Sequence, residues 1–193
     1  MDSIIFDKLE ELASAITVLS PERIGVEIGC GSGHFTVQVA LNKRDFLIIG
    51  CDLKKDRLEK TLKKVKNNEL NNVLLYRGKG EELISFFPDE SISELYVNFP
   101  DPWPKRRHMK RRFFNKSIVE LIYNKLKHQG ILYFVTDHEQ YFFDVIEVFK
   151  ESRFVPVFEN YFTINLDGYY STLYMEKFKK EGKNIYFSFM KKI

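Results

Sequence analysis

Ile24-Gly25-Val26-Glu27-Ile28-Gly29-Cys30-Gly31-Ser32-Gly33-His34-Phe35 decides the fold. Ile24 to Ile28 is a short apolar run of strand character, and a helical pattern runs from about Phe35 to Asn42. Three glycines at alternate positions, Gly29, Gly31 and Gly33, join the two. A strand, a glycine loop and a helix make the turn on which doubly wound α/β folds bind phosphates and nucleosides. Glycine lets the backbone turn sharply and approach a ligand with no Cβ in the way. The spacing is not the dinucleotide G-x-G-x-x-G, and a carboxylate, Glu27, stands just before the loop. A tight glycine turn with no ligand is the plain alternative.

Downstream, Phe46 to Cys51 is a second apolar run that ends on Asp52. An acidic residue at the second strand tip, about 20 residues after the glycines, is placed to accept from ribose hydroxyls. Its two oxygens suit two donors. Further strands are predicted over Val73–Tyr76, Glu94–Asn98, Ile131–Val135, Phe154–Phe158 and Asn184–Lys191, the last antiparallel. Helices are predicted over 54–70, from after Gly78-Lys79-Gly80-Glu81-Glu82 to about Phe87, over 113–127 and over 138–150. His128-Gln129-Gly130 reads as the end of the third of these. Ahead of the first strand, Ile5, Leu9, Leu12, Ile16 and Leu19 recur at helical spacing, so an amphipathic helix is expected from about Ser3 to Leu19. The alternation of strand and helix implies an α/β, Rossmann-like fold with a seven-stranded, mostly parallel sheet and helices on both faces. One domain is expected over residues 1–193, with an N-terminal helix over 1–20 and the core over 21–193.

Composition narrows the function classes. The chain has 193 residues, 44% hydrophobic and 30% charged, which is ordinary for a globular protein. Net charge is only +3, so a polyanion would have to meet a patch rather than a basic whole. The two cysteines, Cys30 and Cys51, fit reduced thiols, and no Cys/His spacing suggests a metal site. The first residues include Asp2, Asp7, Glu10 and Glu11 without a long apolar run, so no secretory leader is expected. No segment approaches the roughly 20 apolar residues of a membrane span. A cytoplasmic protein with no membrane association is the expectation.

The second informative stretch is Asn98-Phe-Pro-Asp-Pro-Trp-Pro-Lys-Arg-Arg-His-Met-Lys-Arg-Arg112. It carries three prolines, the only tryptophan and a dense run of cations. Prolines on both sides of Asp101 and Trp103 remove donors and restrict φ, so the start of the stretch is a stiff loop at a strand end. Such loops carry the chemistry of open α/β sheets. The cations of residues 105–112 suit phosphate contacts, with Lys105 and Arg111 the strongest candidates. Trp103 suits stacking on a base or anchoring the loop.

These stretches resemble one family. Glu27-Ile-Gly-Cys-Gly-Ser-Gly33 is similar to the S-adenosylmethionine loop of class I methyltransferases. The stretch 98–112 is similar, nearly residue for residue, to the signature of the bacterial tRNA (guanine-N7-)-methyltransferases. Thr136-Asp137 with Tyr141, Thr172-Leu-Tyr-Met-Glu-Lys-Phe178 and Gly182-Lys-Asn-Ile-Tyr186 resemble further segments of that family. The resemblance implies an S-adenosyl-L-methionine-dependent enzyme acting on tRNA, at guanosine 46 of the variable loop, with no metal, as a monomer or homodimer. It implies cofactor contacts at Glu27, Gly29, Gly31, Gly33, Asp52, Gly78 and Asp101, with Asp101 also the catalytic residue. Lys105, His108, Arg111, Asp137, Thr172 and the position of Met175 are implied in tRNA binding or guanine placement. The chain departs from the family pattern in three places. Gly78-Lys79 stands where the family has Asp-Ala, Met175 where it has glutamate, and the basic N-terminal arm is absent. The competing readings are an RNA-binding pseudoenzyme on this fold and a methyltransferase of another RNA.

Overall fold

A computed structural model describes residues 4–193. The central strands are the most apolar ones. The strand β3 (Phe46–Asp52) is buried along its whole length, as a parallel strand covered on both faces must be. It lies beside β2 (Arg23–Ile28) and β4 (Val73–Arg77), and β2 also pairs with β5 (Ile92–Asn98). Next come β6 (Leu126–Thr136), β9 (Tyr186–Lys191) and β7 (Val155–Pro156), giving the order β4-β3-β2-β5-β6-β9-β7. All pairings are parallel up to β6, while β9 runs antiparallel to both of its neighbours. This is the expected seven-stranded sheet, extended by two short strands. These are β1 (Ile5–Phe6) on the free edge of β4 and β8 (Thr163–Ile164) on β9.

Alternate residues of each strand enter different cores. Leu47, Ile49 and Cys51 of β3 face one side, with α1 (Leu9–Leu19), α4 (Gly80–Phe86), α5 (Lys116–Lys125) and α6 (Glu139–Lys150). Phe46 and Ile48 face the other, with α2 (His34–Asn42) and α3 (Lys55–Asn67). A third cluster joins Met175 of α7 (Leu173–Lys180) to Val135, Ile185, Phe187 and Phe189. The period-2 pleat thus buries apolar side chains on both faces.

Two expectations are corrected. The N-terminal helix starts only at Leu9. Ile5 instead pairs with Leu75, covering the exposed edge of β4, and Ser3 lies outside the described residues. Gly130 does not cap α5, which ends at Lys125 with Leu126 already in β6. Gln129 and Gly130 lie in the irregular stretch where the register with β5 shifts between Ile92 and Glu94, and Gln129 takes φ 66° there. Beyond them, a helix that no expectation covered, α7, begins after the turn at Asp167–Gly168 and is capped by Thr172 Oγ1 accepting from Met175 N at 2.9 Å.

Candidate active site

The parallel strands β2, β3, β4 and β5 end on one edge of the sheet, and the chain leaves β2 for neighbours on opposite sides. A crevice opens at such a switch point. Here it is a cleft of about 650 Å³, within the range of small-ligand sites.

One wall is the glycine loop. Gly29, Gly31 and Gly33 have φ of 76°, 55° and 75°, a left-handed region that side chains disfavour. Gly29 N and Cys30 N both donate to Cys51 O, at 2.8 and 2.9 Å, which ties the loop to the tip of β3. Asp52 follows directly. Its Oδ2 accepts from Gly31 N at 3.1 Å and its Oδ1 from Lys54 N at 2.9 Å, with the Arg57 guanidinium 3.6 Å from Oδ2. Each carboxylate oxygen keeps a further lone pair for a ligand hydroxyl. The carboxylate that was expected to meet ribose therefore also holds the loop in shape. Gly33 does not line the cleft. It starts α2 from behind, where an added Cβ would stand 2.4 Å from Thr61 Cγ2.

Glu27 forms part of the floor. It is 3% exposed, and burial pushes its carboxyl up to about 7. The hydrogen bond from Thr36 and the nearby Asn98 amide act against that shift, and the charge of Asp52 adds to it. Both cysteines also line the cleft, and both are free. Burial raises the Cys51 thiol to about 12 and raises Cys30 as well, so neither is a thiolate near neutral pH. Cys51 Sγ donates to Gly78 O at 3.2 Å. A Cβ at Gly78 would meet the Tyr76 ring at 2.3 Å. The absence of a side chain at Gly78 thus matches the space that Tyr76 fills.

The opposite wall is the loop after β5. Phe99 and Trp103, two residues on either side of Asp101, take φ of 49° and 41°. Strain of this kind in non-glycine residues persists only where the surroundings impose it. Phe99 N donates to Val135 O at 2.7 Å, and its ring rests against Tyr174 and Phe178 of α7. On the far side Arg112 acts as a clamp. Its Nε donates to Pro102 O at 2.8 Å, one terminal nitrogen to Asp144 Oδ2 at 2.6 Å, and its guanidinium lies over the Tyr141 ring. Between these anchors Asp101 is exposed on the cleft wall, with no side-chain hydrogen bond or ion pair among the described residues. Trp103 lies half-buried beside it. The Arg111 guanidinium is 5.1 Å from its ring centroid and His108 meets its edge. Residues Arg106–Arg111 form a 3-10 turn, so the cations fan out instead of forming one face.

The structure brings Glu27, Gly29, Gly31, Asp52, Gly78, Asp101, Arg111 and Thr172 together around one cleft. It does not bring the other expected residues to it. Lys105 is exposed at the start of the 3-10 turn, and His108 packs on Trp103. Asp137, at the tip of β6, is paired with Lys183 at 2.9 Å. Met175 is a correction: it is 3% exposed and sits in the third core cluster, because the phase of α7 turns that position inward. Arg112, one of the cations suited to phosphate, is likewise a correction, since its side chain is 8% exposed and already paired. Sequence reasoning missed Tyr169 and Asp144, and it gave no role to Asn98 and Tyr141 although both stand in stretches it singled out. Their partners are distant in sequence, so no local pattern assigns those contacts.

The fold and this cleft define a class I methyltransferase. Among solved structures, a 30S ribosomal A1408 methyltransferase from an uncultured bacterium superposes with a TM-score of 0.66 at 18% identity, over 100% of this chain and 97% of that one. The family described as putative methyltransferase matches residues 21–188. A tRNA (guanine-N(7)-)-methyltransferase of Wolbachia pipientis is 33% identical over 170 residues, 88% of this chain and 75% of its own length. A bifunctional glycosyltransferase/methyltransferase of Fusobacterium nucleatum is 40% identical over 129 residues, 67% of this chain and 20% of its own. The chain belongs to the tRNA (guanine-N(7)-)-methyltransferase family.

Proposed function

We propose that this protein transfers a methyl group from S-adenosyl-L-methionine to N7 of a guanosine in tRNA, at guanosine 46 of the variable loop. The observation that carries the reading is Asp101, an unpaired carboxylate held by a strained, clamped loop on the wall of a nucleoside-type cleft. The cofactor, when bound, supplies a methyl already activated on a sulfonium.

The residues present fit that cofactor. Asp52 offers acceptors for ribose hydroxyls, and Glu27 offers a carboxylate for an ammonium. Asn98 presents a buried amide nitrogen that faces Glu27 but makes no full hydrogen bond among the described residues. Guanine N7 is a free lone pair at neutral pH, so no general base is needed to make the nucleophile. The work left to the protein is positioning, and charge stabilisation as the ring becomes cationic. Asp101 fits both tasks: it accepts from the base and faces the developing charge. Arg111, with Trp103 beneath it, carries positive charge to the mouth of the cleft, where a phosphate would approach.

The test is transfer of labelled methyl to unmodified tRNA transcripts, with nucleoside digestion of the product. N7-methylguanosine, lost when position 46 is changed to adenosine, is the expected result. Methylation unaffected by that change would refute the position, and a different methylated nucleoside would refute the reaction. Binding of tRNA without any binding of S-adenosylmethionine would favour the pseudoenzyme.

A further inference from the structure

The stretch 165–172 joins β8 to α7 and crosses the end of α2. Two hydrogen bonds hold it there: Gln38 Nε2 donates to Ser171 O at 2.8 Å, and Ser171 N donates to Gln38 Oε1 at 3.3 Å. The Tyr169 ring packs on Phe35, Phe187 and Phe189. Its hydroxyl points inward and donates to Asn98 Oδ1 at 2.9 Å. Burial holds that hydroxyl well above its ordinary pKa, so it stays a donor. Asn98, 9% exposed, is the last residue of β5 and lies on the cleft floor. Its Nδ2 is buried, lacks a full hydrogen bond, and faces Glu27. Glu27 Oε2 in turn accepts from Thr36 Oγ1 of α2. A line of polar groups thus runs from Tyr169 through Asn98 and Glu27 to Thr36, across four separate segments.

We propose that Tyr169 is a positioning residue for the cofactor-binding carboxylate: by donating to Asn98 Oδ1 it fixes the amide so that its NH2 group faces Glu27. This rests on the reading of Glu27 as the group that takes the ammonium of the cofactor. An asparagine amide can rotate by half a turn, and only one orientation is compatible with a carboxylate. Tyr169 makes that choice. Among the described residues, the charged and titratable groups that act on Glu27 are Asp52 from β3, Cys30 from the glycine loop and Tyr169 from the crossing segment, and none of these is a cation. Ionised Glu27 is therefore supported by Thr36, through its hydroxyl and its backbone N–H, and by the Asn98 amide. Loss of the Tyr169 hydroxyl weakens one of them, so Glu27 should keep its proton to higher pH.

The experiment is calorimetric titration of S-adenosyl-L-methionine into wild type and Tyr169→Phe between about pH 5.5 and 9, each variant compared with wild type at the same pH. The expected result is near-equal affinity at the alkaline end. On acidification the variant loses affinity about one pH unit earlier, leaving it ~tenfold weaker near pH 6. In Glu27→Gln or Asn98→Ala backgrounds the same substitution should produce no pH-dependent change. A loss of equal factor at every pH, or the same loss in both backgrounds, would show a packing role only and overturn the proposal. Wild-type affinity and pH profile in Tyr169→Phe would also overturn it. Glu27→Gln by itself tests the underlying reading: unchanged affinity there removes Glu27 from the cofactor site, whatever Tyr169 does.

Discussion

Arg112 separates two accounts of the basic run. As a phosphate contact, its removal would raise the KM for tRNA, leave folding stability unchanged, and lower the salt slope of binding by about 0.7–0.9. As a clamp, it should do the opposite. Arg112→Ala removes a charged donor from Pro102 O and from Asp144, and leaves a gap under the Tyr141 ring. A charge-assisted hydrogen bond is worth about 1.5–3 kcal/mol, and a stranded buried partner costs more. Asp144 is 37% exposed and can rehydrate, so the lower part of that range applies and about 1.5–2 kcal/mol is expected. For a chain of this size that is a fall in Tm of about 3–8 °C. Turnover should fall as well, because Pro102 is the neighbour of Asp101 and the strained loop relaxes without its anchor. S-adenosylmethionine affinity should hold, since Glu27, the glycine loop and Asp52 are tied to β2 and β3 instead. Thermal melts, single-turnover methylation and binding of tRNA across a salt series check all three parts. An unchanged Tm together with a reduced salt slope would refute the clamp.

Other consequences follow from the same geometry. Asp101→Asn should cut turnover by on the order of a hundredfold or more while cofactor binding stays near normal, and near wild-type turnover would remove Asp101 from the reaction. Glu27 has its folded pKa raised from 4.5 to about 7, so this group favours the fold below its unfolded value, and that stabilisation is lost as pH rises through 7. Glu27→Gln should therefore raise Tm at pH 8, by up to roughly 3 kcal/mol in stability, with the gain vanishing near pH 4 while cofactor affinity drops. A variant less stable than wild type at pH 8 would contradict the buried-carboxylate account. Gly33→Ala forces a side chain into left-handed backbone and against Thr61, and should cost about 2–4 kcal/mol in denaturant titrations. Combining it with Thr61→Ala should recover only part of the steric cost, because Cβ of residue 61 would still stand 2.8 Å away.

How much was legible in the sequence depended on the range of the cause. Strand β3, the glycine loop and Asp52 could be read because apolar runs, positive-φ glycines and strand tips are local properties, and the mostly parallel sheet follows once strands and helices alternate. The stiffness of the 98–104 segment could be read for the same reason, since proline restricts its own backbone and that of the residue before it. The residues 105–112 were legible as a charge cluster and no further. Arg111 and Arg112 are adjacent and chemically identical, yet one lies over Trp103 at the cleft mouth while the other is buried against Asp144, a partner 32 positions away. The same limit hid the helix phase that buries Met175 and the Tyr169–Asn98 bond across 71 positions. The sequence alone determined the fold class, the cleft and the residues at its strand ends. Only the tertiary structure decided which polar groups face a ligand and which hold the site together, because burial and pairing are set by chain segments that meet only after folding.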